Sequence, residues 1–412
     1  MVSSAFSTGT QTTWNIQIVD SASSDNSPVI QVDSQNNPHI AYSNYENGNY
    51  HLTQNLMYAS WNGSSWDKQT VTTYPCSPLG LGFDTYNNPY ILYRREGFGL
   101  IYASWNGSTW TSQKVDKGIT GSIALDSLGN PHIAYIAEGN SQYSRLLKYA
   151  TSNGSDWNLQ TLQSSNDIIG YPNLALDKNG NPHIMYEKDN YESENIPPYQ
   201  SSSVIQYAVW NNSLGWNYQT VLSNVTFVKM ALDSNDYPHF TYFGGQFPGN
   251  RTLVYASWNG SAWSSEIVTS NADSGGDFML DSNNQPYLDY FISTNLGWMG
   301  DLMYAKGTGN TWNTQTIDSN TATGPGRILI DSHGNPQICY PGPRPNGNLP
   351  PYSLMYAIGT EIEQTPSPTP NENLGVSLSS LIIIVVVIVA VLAAVTIFGK
   401  KRLKSERKVK TV

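Results

Sequence analysis

Apolar and polar residues alternate along most of the chain in short runs, separated by Asn, Asp, Gly and Pro; this is the period of half-buried β-strands, not of helices. One arrangement recurs seven times, an apolar run ending in Asp, then Pro five residues on and Tyr four residues beyond that. The Asp/Pro pairs are Asp33/Pro38, Asp84/Pro89, Asp126/Pro131, Asp177/Pro182, Asp233/Pro238, Asp281/Pro286 and Asp331/Pro336. Each copy predicts an apolar strand (A), a tight turn and a second strand (B). A second pattern follows each copy, as in Leu56 to Val71, where Asn62-Gly63 between two β-rich runs predicts the hairpin of strands C and D.

Four antiparallel strands in each repeat match a β-propeller blade, which buries both faces only when neighbouring blades stack on it. Strand D is marked by Trp66, Trp110, Trp157, Trp216, Trp263 and Trp312, and the last copy has no such Trp after Tyr356. Trp14-Asn-Ile-Gln-Ile-Val resembles Trp312-Asn-Thr-Gln-Thr-Ile and precedes the first strand A, so the N-terminal strand is expected to complete the last blade. The predicted fold is all-β: a seven-bladed β-propeller over residues 1–363 closed by its N-terminal strand, plus one C-terminal transmembrane helix. Closure of this kind hides two sheet edges at once.

The helix is read from residues 375–398, a stretch without a charged side chain whose centre runs from Leu381 through consecutive Ile, Val and Ala to Leu392. As a helix it spans about 36 Å, enough to cross a hydrocarbon core of about 30 Å. The basic tail 399–412 places that end in the cytoplasm and the propeller outside, so a single-pass protein of the cell membrane is expected. Residues 364–374, with Pro366, Pro368 and Pro370, read as a stiff stalk between propeller and helix. Residues 1–10 show neither a basic stretch nor the apolar core of a secretory signal, so export implies a signal upstream of, or removed from, this sequence, the alternative being a tail-anchored protein with a cytosolic propeller.

Composition fits turns and strands, with 27 Tyr, 12 Trp, 34 Gly and 23 Pro against 13% charged residues. The net charge of −10 is unevenly spread, because seven of the 21 basic residues lie in the last 13 positions. Without them and Glu406 there remain 14 basic and 30 acidic residues, a balance that repels phosphate backbones and excludes nucleic acid as a partner. Two cysteines, Cys76 in an expected loop and Cys339 in an expected strand, exclude a disulfide framework. Cys339 reads as a small buried hydrophobe, with one bridge the alternative.

Several motifs have structural readings. The repeated Asp resembles the opening of a calcium loop, but the closing bidentate acid is absent, and an Asp that accepts backbone hydrogen bonds across its turn explains every copy. His39, His132, His183 and His239 share one position after the turn proline, where a hydrogen-bonded structural role is expected rather than a metal site. The repeated tyrosines of strands B and C are expected to be scaffold. Seven Asn-x-Ser/Thr sequons occur, four of them within the Asn-Gly hairpins; Asn224 and Asn250 lie outside that motif and are the glycosylation candidates. No cofactor or metal is implied.

Ser60-Trp-Asn-Gly-Ser-Ser-Trp and Ser257-Trp-Asn-Gly-Ser-Ala-Trp resemble a degenerate Asp-box of the sialidase-like (BNR repeat) propellers, and equally the turns of fucose-binding lectin propellers. Asn-Gly stands where that box has Asp and Gly, and the Ser-to-Trp distance is one residue shorter. The resemblance covers Trp14 to Thr360 and concerns the fold. It implies a sialidase-like glycoside hydrolase as the alternative function, which requires three arginines on the substrate carboxylate and a Tyr/Glu pair. Outside the basic tail the arginines are Arg94, Arg95, Arg145, Arg251, Arg327 and Arg344, and no residue matches a catalytic motif of that family.

The A–B and C–D turns are nearly identical in every copy, whereas the B–C loops differ in length and chemistry, and binding residues concentrate on such loops. The candidate ligand-binding residues are therefore Tyr45, Glu46, Tyr50, Arg94, Arg95, Arg145, Glu187, Asp189, Tyr191, Trp298 and Arg344. Aromatics among them offer stacking faces for sugar rings, and charged residues offer hydrogen bonds to hydroxyls. The expected function is a non-catalytic surface receptor or adhesin for carbohydrate or extracellular protein, with a protein-assembly scaffold as a third reading.

Overall fold

The computed structural model describes residues 10–23, 27–45, 54–139, 144–154, 156–165, 168–190, 202–244, 251–294, 299–308, 311–343 and 352–363. Within these, Thr12–Thr360 forms one compact unit. Every described element is a strand, and no helix among them is long and apolar enough to cross a membrane. The expected stalk, transmembrane helix and tail lie outside the described residues.

The chain is a β-propeller. In the third copy, strands Gly118–Leu125, Pro131–Glu138, Arg145–Ser152 and Trp157–Ser165 pair in chain order as an antiparallel sheet, with Ala134 opposite Ser122 and Tyr149. The second to sixth copies each form such a separate four-stranded sheet. Seven separate sheets were expected, and five are found. The first and seventh copies instead share one eight-stranded sheet. The N-terminal strand Thr10–Ser23 is 14 residues long, lies beside Tyr352–Glu363 as expected, and then runs on to pair Ser23 with Asn44 of the first copy. That extra length is fixed by Tyr42, whose hydroxyl donates to Asp20 at 2.6 Å, and by Ser23 Oγ donating to the Ser43 carbonyl at 3.3 Å.

The turn Asp acts through the backbone. Asp33 Oδ1 accepts the amide N–H of Gln35 and of Asn37, both at 2.8 Å, and Asp84, Asp126, Asp177, Asp281 and Asp331 repeat this pair. Three residues after each Asp the backbone is left-handed, and that position holds Asn36, Asn87, Gly129, Gly180, Asp236, Asn284 and Gly334. Only Gly, Asn or Asp occurs there, as the conformation demands. In the C–D hairpins the Asn side chain likewise closes the turn: Asn62 Oδ1 accepts from the backbone of Ser64 and Ser65, each at 3.0 Å.

Between sheets, the strand D Trp of one copy meets the strand C Tyr of the preceding copy edge-to-face. Trp110 meets Tyr58, Trp157 meets Tyr102, Trp216 meets Tyr149 and Trp312 meets Tyr255, with ring centroids 5.3 to 5.7 Å apart. Two further pairs involve the chain ends: Trp14 with Tyr304 at 5.1 Å, and Trp66 with Tyr356 at 5.2 Å. Trp14 thus does in the seventh copy what its counterparts do elsewhere. Each pair adds about 0.5–1.5 kcal/mol beyond the area it buries. The strand B tyrosines Tyr42, Tyr135, Tyr186 and Tyr340 are fully buried, which makes them scaffold.

The four histidines are also scaffold. His39 Nδ1 bonds the Tyr58 hydroxyl at 2.5 Å while its Nε2 faces Asp33 at 3.5 Å, and the same Asp–His–Tyr chain recurs at His132, His183 and His239. Neither cysteine forms a disulfide and both are buried; Cys76 begins the strand Cys76–Phe83 instead of lying in a loop, and Cys339 is completely enclosed.

Candidate functional site

The expected binding residues that are described occupy separate places. Tyr45 ends strand B of the first copy, half-buried and opposite Gln54. Arg94 is exposed, and Arg95 lies 3.4 Å from the Tyr74 ring centroid and 4.8 Å from that of Phe98. Arg145 donates to the Ser144 carbonyl at 3.2 Å. Glu187 is half-buried in strand B of the fourth copy and acts electrostatically on Arg251, which itself donates to Thr226 and to the Asp273 carbonyl. The backbone of Asp189 pairs with Ile168 and Ser203. Glu46, Tyr50, Tyr191, Trp298, Arg344 and Asn250 lie outside the described residues, as does the Asp189 side chain. Asn224 is exposed, with a left-handed backbone at φ 60°.

The innermost strands hold a different group of residues. Four positions before each turn Asp stand Val29, Gly80, Ser122, Asn173, Lys229, Asp277 and Arg327, and all seven line one cavity of about 420 Å³. The ring they form is lopsided. It is small and apolar at Val29 and Gly80, neutral and polar at Ser122 and Asn173, and charged at Lys229, Asp277 and Arg327. An adjoining cavity of about 220 Å³ shares Tyr171, Lys229, Asp277 and Arg327 with the first.

Irregular pairing aims these side chains. In the fourth, fifth and sixth copies the A–B register shifts at Gly170/Asn173, Thr226/Lys229 and Gly275/Phe278, leaving extra residues in strand A beside the ring position. Such bulges bend a strand and redirect its side chains. Tyr171 sits inside one of them with φ 39° and 61% of its surface exposed, lining both cavities. A left-handed aromatic residue stores about 1–3 kcal/mol of strain. Here the strain holds a phenol ring over a polar cavity.

Asp289 fixes the charged side of the ring. It is 1% exposed and accepts the Asp277 amide at 2.8 Å and the Gly326 amide at 2.6 Å, so one carboxylate ties the inner strand of the sixth copy to the residue preceding that of the seventh. A Cβ at Gly276 would collide with that carboxylate. Burial, opposed by the Asp277 amide and reinforced by the Asp277 charge, pushes the Asp289 carboxyl up to about 7. Lys229 is brought down to about 8, first by burial and then by the Arg327 charge. Arg327 Nη1 lies 3.7 Å from Asp277 Oδ2.

Asp289 was also marked in the sequence. The same place in strand B holds Ala41, Leu92, Ala134, Met185, Thr241 and Cys339 in the other copies, so a carboxylate there breaks the repeat. The described arginines do not converge as the sialidase comparison requires: Arg327 lines the cavities, and Arg94, Arg95, Arg145 and Arg251 do not.

No protein-family model and no curated protein matches this sequence. Among solved structures the chain is similar to an ulvan lyase, a polysaccharide lyase, at TM-score 0.61 and 11% identity, over 82% of this chain and 94% of that one. It is also similar to the polysaccharide lyase Uly1 at TM-score 0.54 and 10% identity, over 83% and 91% of the two chains. The Aleuria aurantia lectin follows at TM-score 0.43 and 12% identity, over 72% and 96%. At these identities the likeness concerns the propeller fold alone.

Proposed function

We propose that this chain is a carbohydrate-recognition propeller whose ligand enters the cavity ringed by the inner strands. The observation that carries this reading is Tyr171, an exposed aromatic ring held in a strained left-handed backbone over Asn173, Lys229, Asp277 and Arg327. Such strain persists where something selects for it, and an aromatic face beside a few hydrogen-bonding groups is how sugar rings are held. The polysaccharide named for one of the similar structures agrees in kind.

The eight-stranded sheet counts in this reading as two blades, which gives the seven-bladed ring; the seven left-handed turns and the edge-to-face pairs Trp14–Tyr304 and Trp66–Tyr356 support that count. The propeller stands outside the cell on the apolar segment 375–398, as the basic cluster behind that segment supports. Glycosylation at Asn224 fits the same placement, since its side chain is exposed.

The test is an array of neutral and acidic saccharides probed with the detergent-solubilised full chain and with Tyr171→Gly. Glycine removes the ring and accepts the positive φ, so binding falls about tenfold, of the order of one stacking contact, while the melting temperature stays level or rises. Binding that survives Tyr171→Gly moves the site to the loops, and an array without any signal overturns the reading.

A further inference from the structure

We infer that the saccharide taken by this cavity is acidic, its carboxylate or sulfate seated between Lys229 and Arg327. The inference rests on the carbohydrate reading above and adds the charge of the ligand. Its basis is the imbalance of the ring. The charged side chains among the described residues lining the two cavities are Lys229, Asp277, Asp289 and Arg327. Arg327 has its counter-ion in Asp277 at 3.7 Å, and the Asp289 carboxylate is turned into the wall, where the Asp277 and Gly326 amides hold it. Lys229 has no hydrogen-bonding or ion-pair partner within 4.0 Å among the described residues. Its side chain is half-buried and lines both cavities.

A partly desolvated cation without a hydrogen-bonded partner is stabilised when a ligand supplies the opposite charge. The surrounding chain sharpens the point, because its net charge is −10 while Lys229 and Arg327 line both cavities together. The field outside repels anions in general, so an anion that binds must be recognised inside. Tyr171 on the rim and the neutral residues Asn173 and Ser122 opposite the charged side leave room for the ring that carries the anionic group.

The experiment is isothermal titration of the detergent-solubilised full chain with four probes: a glucuronate-containing oligosaccharide, a sulfated oligosaccharide, the matching neutral oligosaccharide, and acetate. At least one acidic oligosaccharide should bind tenfold or more tighter than the neutral one, and the comparison of uronate with sulfate names the anion. Lys229→Met, which keeps the length and most of the volume of the side chain, should weaken the acidic oligosaccharide at least tenfold more than the neutral one and so remove the preference, and Lys229→Arg should keep it. Equal affinity for neutral and acidic probes, with Tyr171→Gly still weakening both, overturns the inference and leaves the carbohydrate reading standing. Acetate binding as tightly as the acidic sugars overturns it in favour of a simple anion site. Absence of binding by every oligosaccharide removes both readings.

Discussion

If the N-terminal strand closes the propeller, Trp14→Ala should cost as much stability as the same substitution in an internal repeat. Trp14 packs on the cluster of Tyr304, Ile317 and Ile328, and its ring centroid lies 5.1 Å from that of Tyr304 at 74°. Truncating a fully buried Trp costs about 3–5 kcal/mol. Trp14 is half-buried, and its indole N–H has no hydrogen-bond partner among the described residues, so the substitution also removes an unsatisfied donor. The net loss is about 2–3 kcal/mol. Trp110 is the reference, with the same half-burial, the same orphan N–H and an edge-to-face partner at 5.3 Å. Ile18→Ala is the control within the same strand, because Ile18 is 60% exposed and its loss should fall within about 0.5 kcal/mol. Urea unfolding of the full chain followed by far-ultraviolet circular dichroism reads all three. A Trp14→Ala protein as stable as wild type, beside a Trp110→Ala protein weakened by about 2–3 kcal/mol, would refute the closure.

Other perturbations test the histidine chains and the Asp289 staple. The Asp–His–Tyr chains make the protein acid-sensitive: burial holds His39, His132, His183 and His239 below the ordinary histidine value against the pull of their aspartates, so the unfolded chain gains protons first and stability falls as pH drops through about 6.5. The seventh copy shows the remedy, since Gln337 accepts from the Tyr356 hydroxyl at 2.9 Å and donates to Asp331 at 3.2 Å. His132→Gln should therefore match wild type within about 1 kcal/mol at pH 8 and lose less stability by pH 5.5 in thermal melts; an unchanged pH slope would count against this account. Asp289 has the opposite sign, because a carboxyl raised to about 7 in the folded chain gives up stability as pH rises from the unfolded value of about 4 towards 7. Asp289→Asn loses one of the two amide bonds, about 1 kcal/mol or somewhat more, and the gap between it and wild type should narrow across that window; a constant gap would show that Asp289 does not titrate there. Gly276→Ala should destabilise at every pH by driving a methyl group into the Asp289 carboxylate, and a melting temperature equal to wild type would show that the staple yields.

The propeller was legible because its turns obey local rules. Asp at one place and Gly, Asn or Asp three residues later are demanded by a left-handed turn, and that demand is written identically in all seven copies. The extra pairing of Ser23 with Asn44 was not legible, since it depends on where the long N-terminal strand stops and no residue type marks that point. The site was half-legible. Lys229, Asp277 and Arg327 stand in register with Val29 and Gly80, and Asp289 with Ala41 and Leu92, so aligning the copies exposes all four substitutions. Loops that differ in length are a louder signal than one residue in a strand that still alternates. Nothing local says that the ring position faces a cavity, because the bulges that aim it arise from the pairing of strands A and B. Tyr171 shows the limit most clearly, since its positive φ contradicts its residue type and follows from the bulge around it. In a chain of near-identical units the scaffold is read where the copies agree and the chemistry of the cavity where they disagree. The disagreements that matter lie on the strands facing inward, where seven backbones converge and a single changed side chain alters the cavity they share.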